Sequence, residues 1–367
     1  MVSRTNLDNE SSTLVTRQED PLVKEATLPS LDSWITPTPR FYVRNHFSES
    51  PTLAISSWRL EVDGQVRQPL TLTFDDILGF PNKEIVVTME CAGNSRSEIT
   101  PPAEGLPFGN GAVSTARFRG VPLNALLERA GIGESAVAVV FEGADRGEEE
   151  EDGVAFELAY RRSLPLATAR GEDILLAYEM NGEPLAKDHG FPLRLVVPSW
   201  YGMASVKWLT RINLTAEEFD GFFQQRRYVM INEGRENTLD REPVTRFKVK
   251  SVIASPRHGE VIQGPLFNIR GFAWTGDGEV TKVEISTDGG RSWQVAGLLG
   301  DPVPNAWREW EFPWPRTHPG HYILKARATD SAGRAQPEST TWNFRGYANN
   351  SIQTIAVEVP SGRPIPS

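Results

Sequence analysis

The sequence predicts an α+β domain in its first two thirds and an all-β sandwich in its last third. Three observations carry this. Between Trp34 and Thr215, strand-like and helix-like stretches follow one another without regular alternation, which argues against a doubly wound parallel sheet. After Glu242-Pro243, six short strand-like runs are separated by Gly, Pro and Asp turns, a pattern that fits a sandwich of immunoglobulin type. Finally, 367 residues exceed one comfortable core and call for about two or three domains.

In chain order, residues 1–30 read as a loose, polar arm. A domain over 31–243 follows, with strands expected over 54–62, 84–89, 136–142 and 192–197. Helices are expected over 74–79 and 122–130, the second with Pro122 at its start and Gly131 just past its end. The sandwich spans 244–346, with strands over 247–253, 267–271, 280–286, 292–296, 307–312 and 322–329 and a clear turn at Thr287-Asp-Gly-Gly290. Residues 347–367 read as a polar, proline-containing tail. The acidic run Glu148 to Asp152 reads as an exposed loop.

Composition excludes several function classes. Lys plus Arg is 38 against 48 Asp plus Glu, a net charge of −10 that disfavours nucleic acid as a partner. An anionic ligand must therefore be held by local arginines. No apolar run is long enough to span a membrane. The one cysteine, Cys91, rules out a disulfide framework, a zinc finger, a cysteine-held iron–sulfur cluster and a haem attached through two thiols. The N-terminal twenty residues lack an apolar h-region, and Arg363-Pro-Ile-Pro-Ser367 is not a peroxisomal tripeptide, so the cytoplasm is expected. Gly105-Leu-Pro-Phe-Gly-Asn-Gly111 lacks the spacing and context of a nucleotide fingerprint.

The chemistry concentrates in Glu90-Cys-Ala-Gly-Asn-Ser-Arg96, which follows a predicted strand. A lone cysteine is commonly a small buried hydrophobe. Its functional reading is a thiolate whose pKa is lowered by Arg96, five residues on. One thiolate cannot hold a catalytic metal, so if Cys91 is a ligand the others arrive with a cofactor.

Around this motif stand Phe41-Tyr-Val-Arg-Asn-His46, Phe141-Glu-Gly-Ala-Asp145, Leu175-Leu-Ala-Tyr-Glu-Met-Asn-Gly182, Asp188-His-Gly-Phe-Pro-Leu-Arg194, Ser205-Val-Lys-Trp208 and Trp342-Asn-Phe-Arg-Gly346. With Glu90-Cys-Ala-Gly-Asn94, these seven stretches, in order from about residue 30 to 350, resemble the sulfite oxidase family of molybdenum-cofactor enzymes. The resemblance implies a molybdopterin-binding domain followed by an immunoglobulin-like dimerisation domain, in a haem-free bacterial or plant type. It implies Cys91 as the metal's protein ligand, and Tyr42, Val43, Arg44, Asn45, His46, Asp145, His189, Arg194, Ser205, Val206 and Lys207 as cofactor contacts. Arg194 and Lys207 suit phosphate, Asp145 suits pterin N–H groups, and His46 and His189 suit a neutral donor role. Taken alone, Asp145 and Lys207 would read as solvated surface charges. On the substrate side the resemblance implies Tyr228 with Arg44, Arg96 and Arg345, guanidinium groups suited to bind a small dianion and offset its charge.

The implied reaction is molybdenum-dependent oxidation of sulfite to sulfate by oxo transfer. No haem, flavin or nicotinamide domain is read in the chain; His318-Pro-Gly-His321 reads as a turn. Electrons would go to a c-type cytochrome, another redox protein or oxygen. Glu104, Phe108 and Ser95 depart from the family pattern, which has lysine, tryptophan and arginine there, and Glu104 and Ser95 thereby remove two positive charges near the substrate funnel. Two alternatives stand beside this reading: a related molybdenum oxidoreductase acting on another oxyanion or S-oxide such as nitrate, and a non-catalytic binding protein on the same scaffold. A homodimer through the sandwich is implied, and Trp274, Trp293, Trp307, Trp310, Trp314 and Trp342 are candidates for its interface.

Overall fold

The computed structural model describes residues 14–151, 153–231, 241–315 and 318–361; Met1 to Thr13, Asp152 and the terminal Arg363-Pro-Ile-Pro-Ser367 lie outside the described residues. The first domain is built mainly on two five-stranded sheets. One runs Glu183–Pro184, Leu175–Met180, Val113–Pro122, Lys83–Glu90, all antiparallel, with Arg194–Val196 also pairing on Leu175–Met180. The other runs Leu70–Leu72, Leu60–Gly64, Leu209–Thr215, Ala138–Glu151, Val154–Pro165, with one parallel pair between Leu60–Gly64 and Leu209–Thr215. Helices are few and short. Phe74–Leu78 is opened by a capping box in which Thr73 and Asp76 satisfy each other's backbone N–H. Leu123–Ala130 buries Leu123, Leu126, Leu127 and Ala130, the spacing of a single helical face, and ends at Gly131 with φ 69°.

Three local expectations give way. The strand placed over 54–62 begins only at Leu60, because Ala54 carbonyl accepts the N–H groups of Ser57 and Trp58 in a turn. The arm is not loose from residue 14 onward: Leu14–Gln18 and Val23–Ala26 form a hairpin that pairs with Val43–Arg44. Val23 is fully buried, and Glu25 is held by Arg17 and by the Gly109 N–H at 2.9 Å. Residues 347–367, read as tail, contain the strand Thr354–Val359, whose buried Ile355, Val357 and Val359 alternate with period two.

That strand completes a sandwich of two four-stranded antiparallel sheets. They run Lys250–Ser255, Leu266–Trp274, Arg308–Pro315, Gly297–Leu298 and Gln294–Val295, Val280–Ser286, Gly320–Asp330, Thr354–Val359. Its own core holds Ile253, Ile269, Val283, Ile285, Trp310 and Leu324. Phe272, Trp274 and Trp307 instead join the apolar cluster of the first domain, so the two domains share buried surface. Trp34 and Trp307 exchange indole N–H to carbonyl bonds at 3.2 and 2.8 Å. Trp274, Trp307, Trp310 and Trp314 are all buried within one chain and belong to its core, whereas Trp293 and Trp342 are only half-buried. Among the described residues, no helix is long and apolar enough to cross a membrane.

Candidate active site

Strand Lys83–Glu90 carries the chain into the interior and stops at Glu90. Its carboxylate accepts from Trp274 Nε1 at 2.9 Å, Asn94 Nδ2 at 3.0 Å and Lys250 Nζ at 3.2 Å. Lys250 also donates to Ser95 Oγ at 2.7 Å and Asn349 carbonyl at 2.8 Å, so a sandwich lysine pins the loop after the strand. Ser95 sits at φ 67° with its hydroxyl spent on Asn110 and Lys250, inside the domain junction and lining neither chamber described below. This scaffold presents Cys91, whose N–H is fixed to Ala112 carbonyl at 2.8 Å.

Cys91 stands where two chambers meet. The first, of about 610 Å³, and the second, of about 1000 Å³, share Arg44, His46, Cys91 and Tyr228 as lining. Into the first project Tyr42, Asp145, His189, Arg194, Ser205 and Lys207. Val43, Asn45 and Val206 are buried close by without lining it; Asn45 accepts from Lys207 Nζ and so positions that lysine. Asp145 owes its place to a bulge between Glu142 and Arg146 in the Ala138–Glu151 strand, where the register with Val154–Pro165 shifts. Arg194 donates to His189 carbonyl at 3.0 Å and Ser205 carbonyl at 3.2 Å.

Burial dominates the titration of this chamber. It pushes Asp145 up, with Lys207 opposing, and Lys207 down, with Arg194 adding to the push. Burial and Arg194 bring His189 down to about 4, which keeps its imidazole neutral. The His46 imidazole is held well below its usual range by burial and Arg44, and its Nε2 lies 2.6 Å from Tyr228 Oη. Burial raises the Tyr228 phenol against the pull of Arg44. Burial also raises the Cys91 thiol: Arg96 does pull it down, as expected, but with Arg44 and the Gly93 N–H it is outweighed, so the thiol stays above its usual value. A thiolate here needs a metal to displace the proton.

The residues fit a polar cofactor. Asp145 Oδ1 and Arg194 Nε are buried with no hydrogen-bond partner among the described residues, an arrangement that calls for a ligand or other compensation. Among the described residues no cluster of three or more His, Cys, Asp or Glu could cage a bare metal ion, so Cys91 would have to share its metal with ligands brought by that cofactor.

The second chamber brings together Arg96 and Arg345 from the expected set, with Glu104 and Phe108 in its wall. Arg96 donates to Arg345 carbonyl and Leu106 carbonyl, both at 2.8 Å. Its guanidinium passes so close to Gly93 that a Cβ there would lie 2.8 Å away, and Gly346, at φ 59°, leaves the same gap to its Cγ. Arg345 lies in the loop between Gly320–Asp330 and Thr354–Val359, not in a strand.

The acidic run is no exposed loop. It is the end of a long hairpin, Ala138–Glu151 with Val154–Pro165. Strand alternation leaves Glu148 and Glu150 exposed and turns Glu149 and Glu151 inward. Glu149 pairs with Arg227, and Glu151 pairs with Arg345 at 3.2 Å and Arg241 at 3.3 Å.

Several residues escaped the sequence reading. Tyr160 stacks on His46 at 4.2 Å between ring centroids and donates to Met203 carbonyl at 2.7 Å. Fully buried Arg162 donates to Phe223 carbonyl and lies over the Tyr228 ring. The signal was there: Tyr160, Arg162 and Leu164 alternate in a strand. The π-helical turn Phe223–Arg227, which delivers Tyr228, carried none.

Comparison with known proteins gives two family matches. Residues 47–223 match the oxidoreductase molybdopterin binding domain, and 241–359 match the Mo-co oxidoreductase dimerisation domain. The chain is 40% identical to the mitochondrial sulfite oxidase of Homo sapiens over 89% of its length and 62% of that protein's. It thus spans about six tenths of the mammalian relatives. Identity to the sulfite oxidase of Gallus gallus is 37% over 86% of this chain and 71% of that one. A nitrate reductase of Hordeum vulgare is 35% identical over 92% of this chain and 41% of its own length. In structure, the chain resembles the sulfane dehydrogenase SoxCD of Paracoccus pantotrophus, with a TM-score of 0.79, 28% identity, and coverage of 97% and 89% of the two chains.

Proposed function

The chain belongs to the sulfite oxidase family of molybdenum-cofactor oxidoreductases, and from that membership we propose that it oxidises sulfite to sulfate and passes two electrons to an external acceptor. The supporting observation is the lone thiol at the junction of a chamber with unspent buried polar atoms and a chamber lined by arginines. Asp145, His189, Arg194, Ser205 and Lys207, with Tyr42, would hold the pterin, and Cys91 its metal. When bound, that cofactor supplies the two-electron chemistry that no side chain here can supply. Arg44, Arg96 and Arg345 bind the oxyanion and offset charge where it develops. Tyr228, kept protonated by burial, holds its proton at Oη within reach of His46 Nε2 and of an anion in the second chamber. Tyr228 and Cys91 are 4% and 7% exposed, so the reacting corner is largely buried; the oxygen that sulfite gains comes from one water, which releases two protons as the two electrons leave.

Metal analysis followed by sulfite turnover with ferricyanide, cytochrome c and oxygen tests this. Stoichiometric molybdenum with sulfite turnover by at least one acceptor is expected; a molybdenum-loaded protein inert to sulfite overturns the substrate. The Hordeum vulgare relative favours nitrate as the second reading, and nitrate reduction by the same preparation with a viologen donor separates the two. The proposal includes a homodimer, supported by the match over 241–359; light scattering near the monomer mass of 40.8 kDa overturns it. It also includes a cytoplasmic location, which cell fractionation checks against the mitochondrial label of the mammalian relatives.

A further inference from the structure

Among the described residues, four arginines line the second chamber: Arg44, Arg96, Arg227 and Arg345. They are not equivalent. Arg345 faces Glu151 at 3.2 Å with side chains 10% and 7% exposed, and Arg227 faces Glu149 with 24% and 14%. Arg44 and Arg96 are held by backbone carbonyls, which orient a guanidinium without cancelling its charge. Among the described residues, Arg44 and Arg96 are thus the two of the four without a carboxylate partner, and the carboxylates Glu104 and Glu148 stand in the same wall.

We propose that Glu149 and Glu151, at the end of the Ala138–Glu151/Val154–Pro165 hairpin, are specificity-determining counter-ions that adapt the second chamber to singly charged sulfur oxyanions and against dianions. This rests on the reading of that chamber as an oxyanion pocket. Glu151 is a built-in competitor: a ligand oxygen that reaches Arg345 shares a guanidinium already paired at Nη2, whose buried Nε has no partner among the described residues. The hydrogensulfite monoanion is then the preferred form of the substrate. Sulfate, a dianion, is a weak ligand, so product leaves readily.

Charge makes the proposal testable, because the Coulomb energy of a ligand in a fixed field scales with its charge. Sulfate and methanesulfonate are tetrahedral anions of similar size carrying two charges and one. Calorimetric titration of the wild-type holoenzyme should find methanesulfonate bound at least as tightly as sulfate, because the dianion's larger loss of hydration outweighs its extra attraction to the two arginines without a carboxylate; sulfate tighter by about tenfold overturns the proposal. In Glu151→Gln, methanesulfonate should tighten about threefold and sulfate about tenfold, near the square of the first factor. Glu149→Gln, acting on a different arginine, should show the same ratio in a protein whose Arg345 pair is intact. Equal gains for both anions, or none, overturn it. A holoenzyme that shows these ratios but does not turn over sulfite refutes the proposed function alone. Sulfite turnover without the ratios refutes only the counter-ion role.

Discussion

The two chambers that meet at Cys91 hold their cations in opposite ways. In the first, Arg194 is fixed by carbonyls of its own domain and Lys207 by an amide and a carbonyl, with Arg194 Nε and Asp145 Oδ1 left over. In the second, Arg227 and Arg345 are matched by carboxylates, and the walls come from both domains. A site with unspent polar atoms at fixed positions waits for one partner. A site with internal counter-ions is tuned by the balance among them, so a change there should alter affinity before it alters occupancy.

The largest effect that would separate the chambers falls on their shared corner. Cys91→Ser should abolish turnover while far-UV circular dichroism stays unchanged, since a neutral hydroxyl is a far weaker metal ligand; turnover within a few-fold of wild type refutes the assignment. Next comes the beam behind both. Lys250→Met leaves the Glu90 carboxylate buried without its ammonium, and should cost about 3 to 5 kcal/mol in denaturant unfolding. A loss under about 1 kcal/mol would show that the junction is not one scaffold.

Arg345→Met confines the damage to the second chamber. The loss of a charge-assisted contact, about 1.5 to 3 kcal/mol, should raise the KM for sulfite roughly ten- to hundred-fold with molybdenum content unchanged. Falling metal content would instead make the two chambers one unit. The smallest effect belongs to the first chamber in the cofactor-free protein. An unfolded chain protonates His189 near about 6.5, whereas burial and Arg194 keep the folded imidazole neutral down to about 4. Stability contributed by this histidine is therefore full above the unfolded value and is lost as pH falls toward 4, by about 1 to 3 kcal/mol. His189→Gln should flatten that slope in thermal melts; an unaltered slope assigns it elsewhere.

Much of the first chamber was legible because its residues sit in short contiguous motifs: Tyr42 to His46, Asp188 to Arg194 and Ser205 to Lys207 each bring several site groups by chain connectivity alone. The charge balance of the second was not. Glu149 and Glu151 look solvated in a run of acidic residues, and only strand period and the length of the hairpin turn them onto Arg227 and Arg345. Ser95 looked like a charge lost from the funnel, yet its hydroxyl receives the ammonium of Lys250 from 155 residues away.

The sequence by itself determined the family, the two-part architecture, the lone thiol and the arginines around it, because local pattern, turn chemistry and motif order are properties of neighbours along the chain. Tertiary structure alone decided which arginines carry free charge, how far the Cys91 thiol is from ionising, and that Thr354–Val359 closes the sandwich. Those are questions of burial and of pairing between residues far apart in sequence, and an ionisable group has no settled charge until its solvent and its partners are fixed.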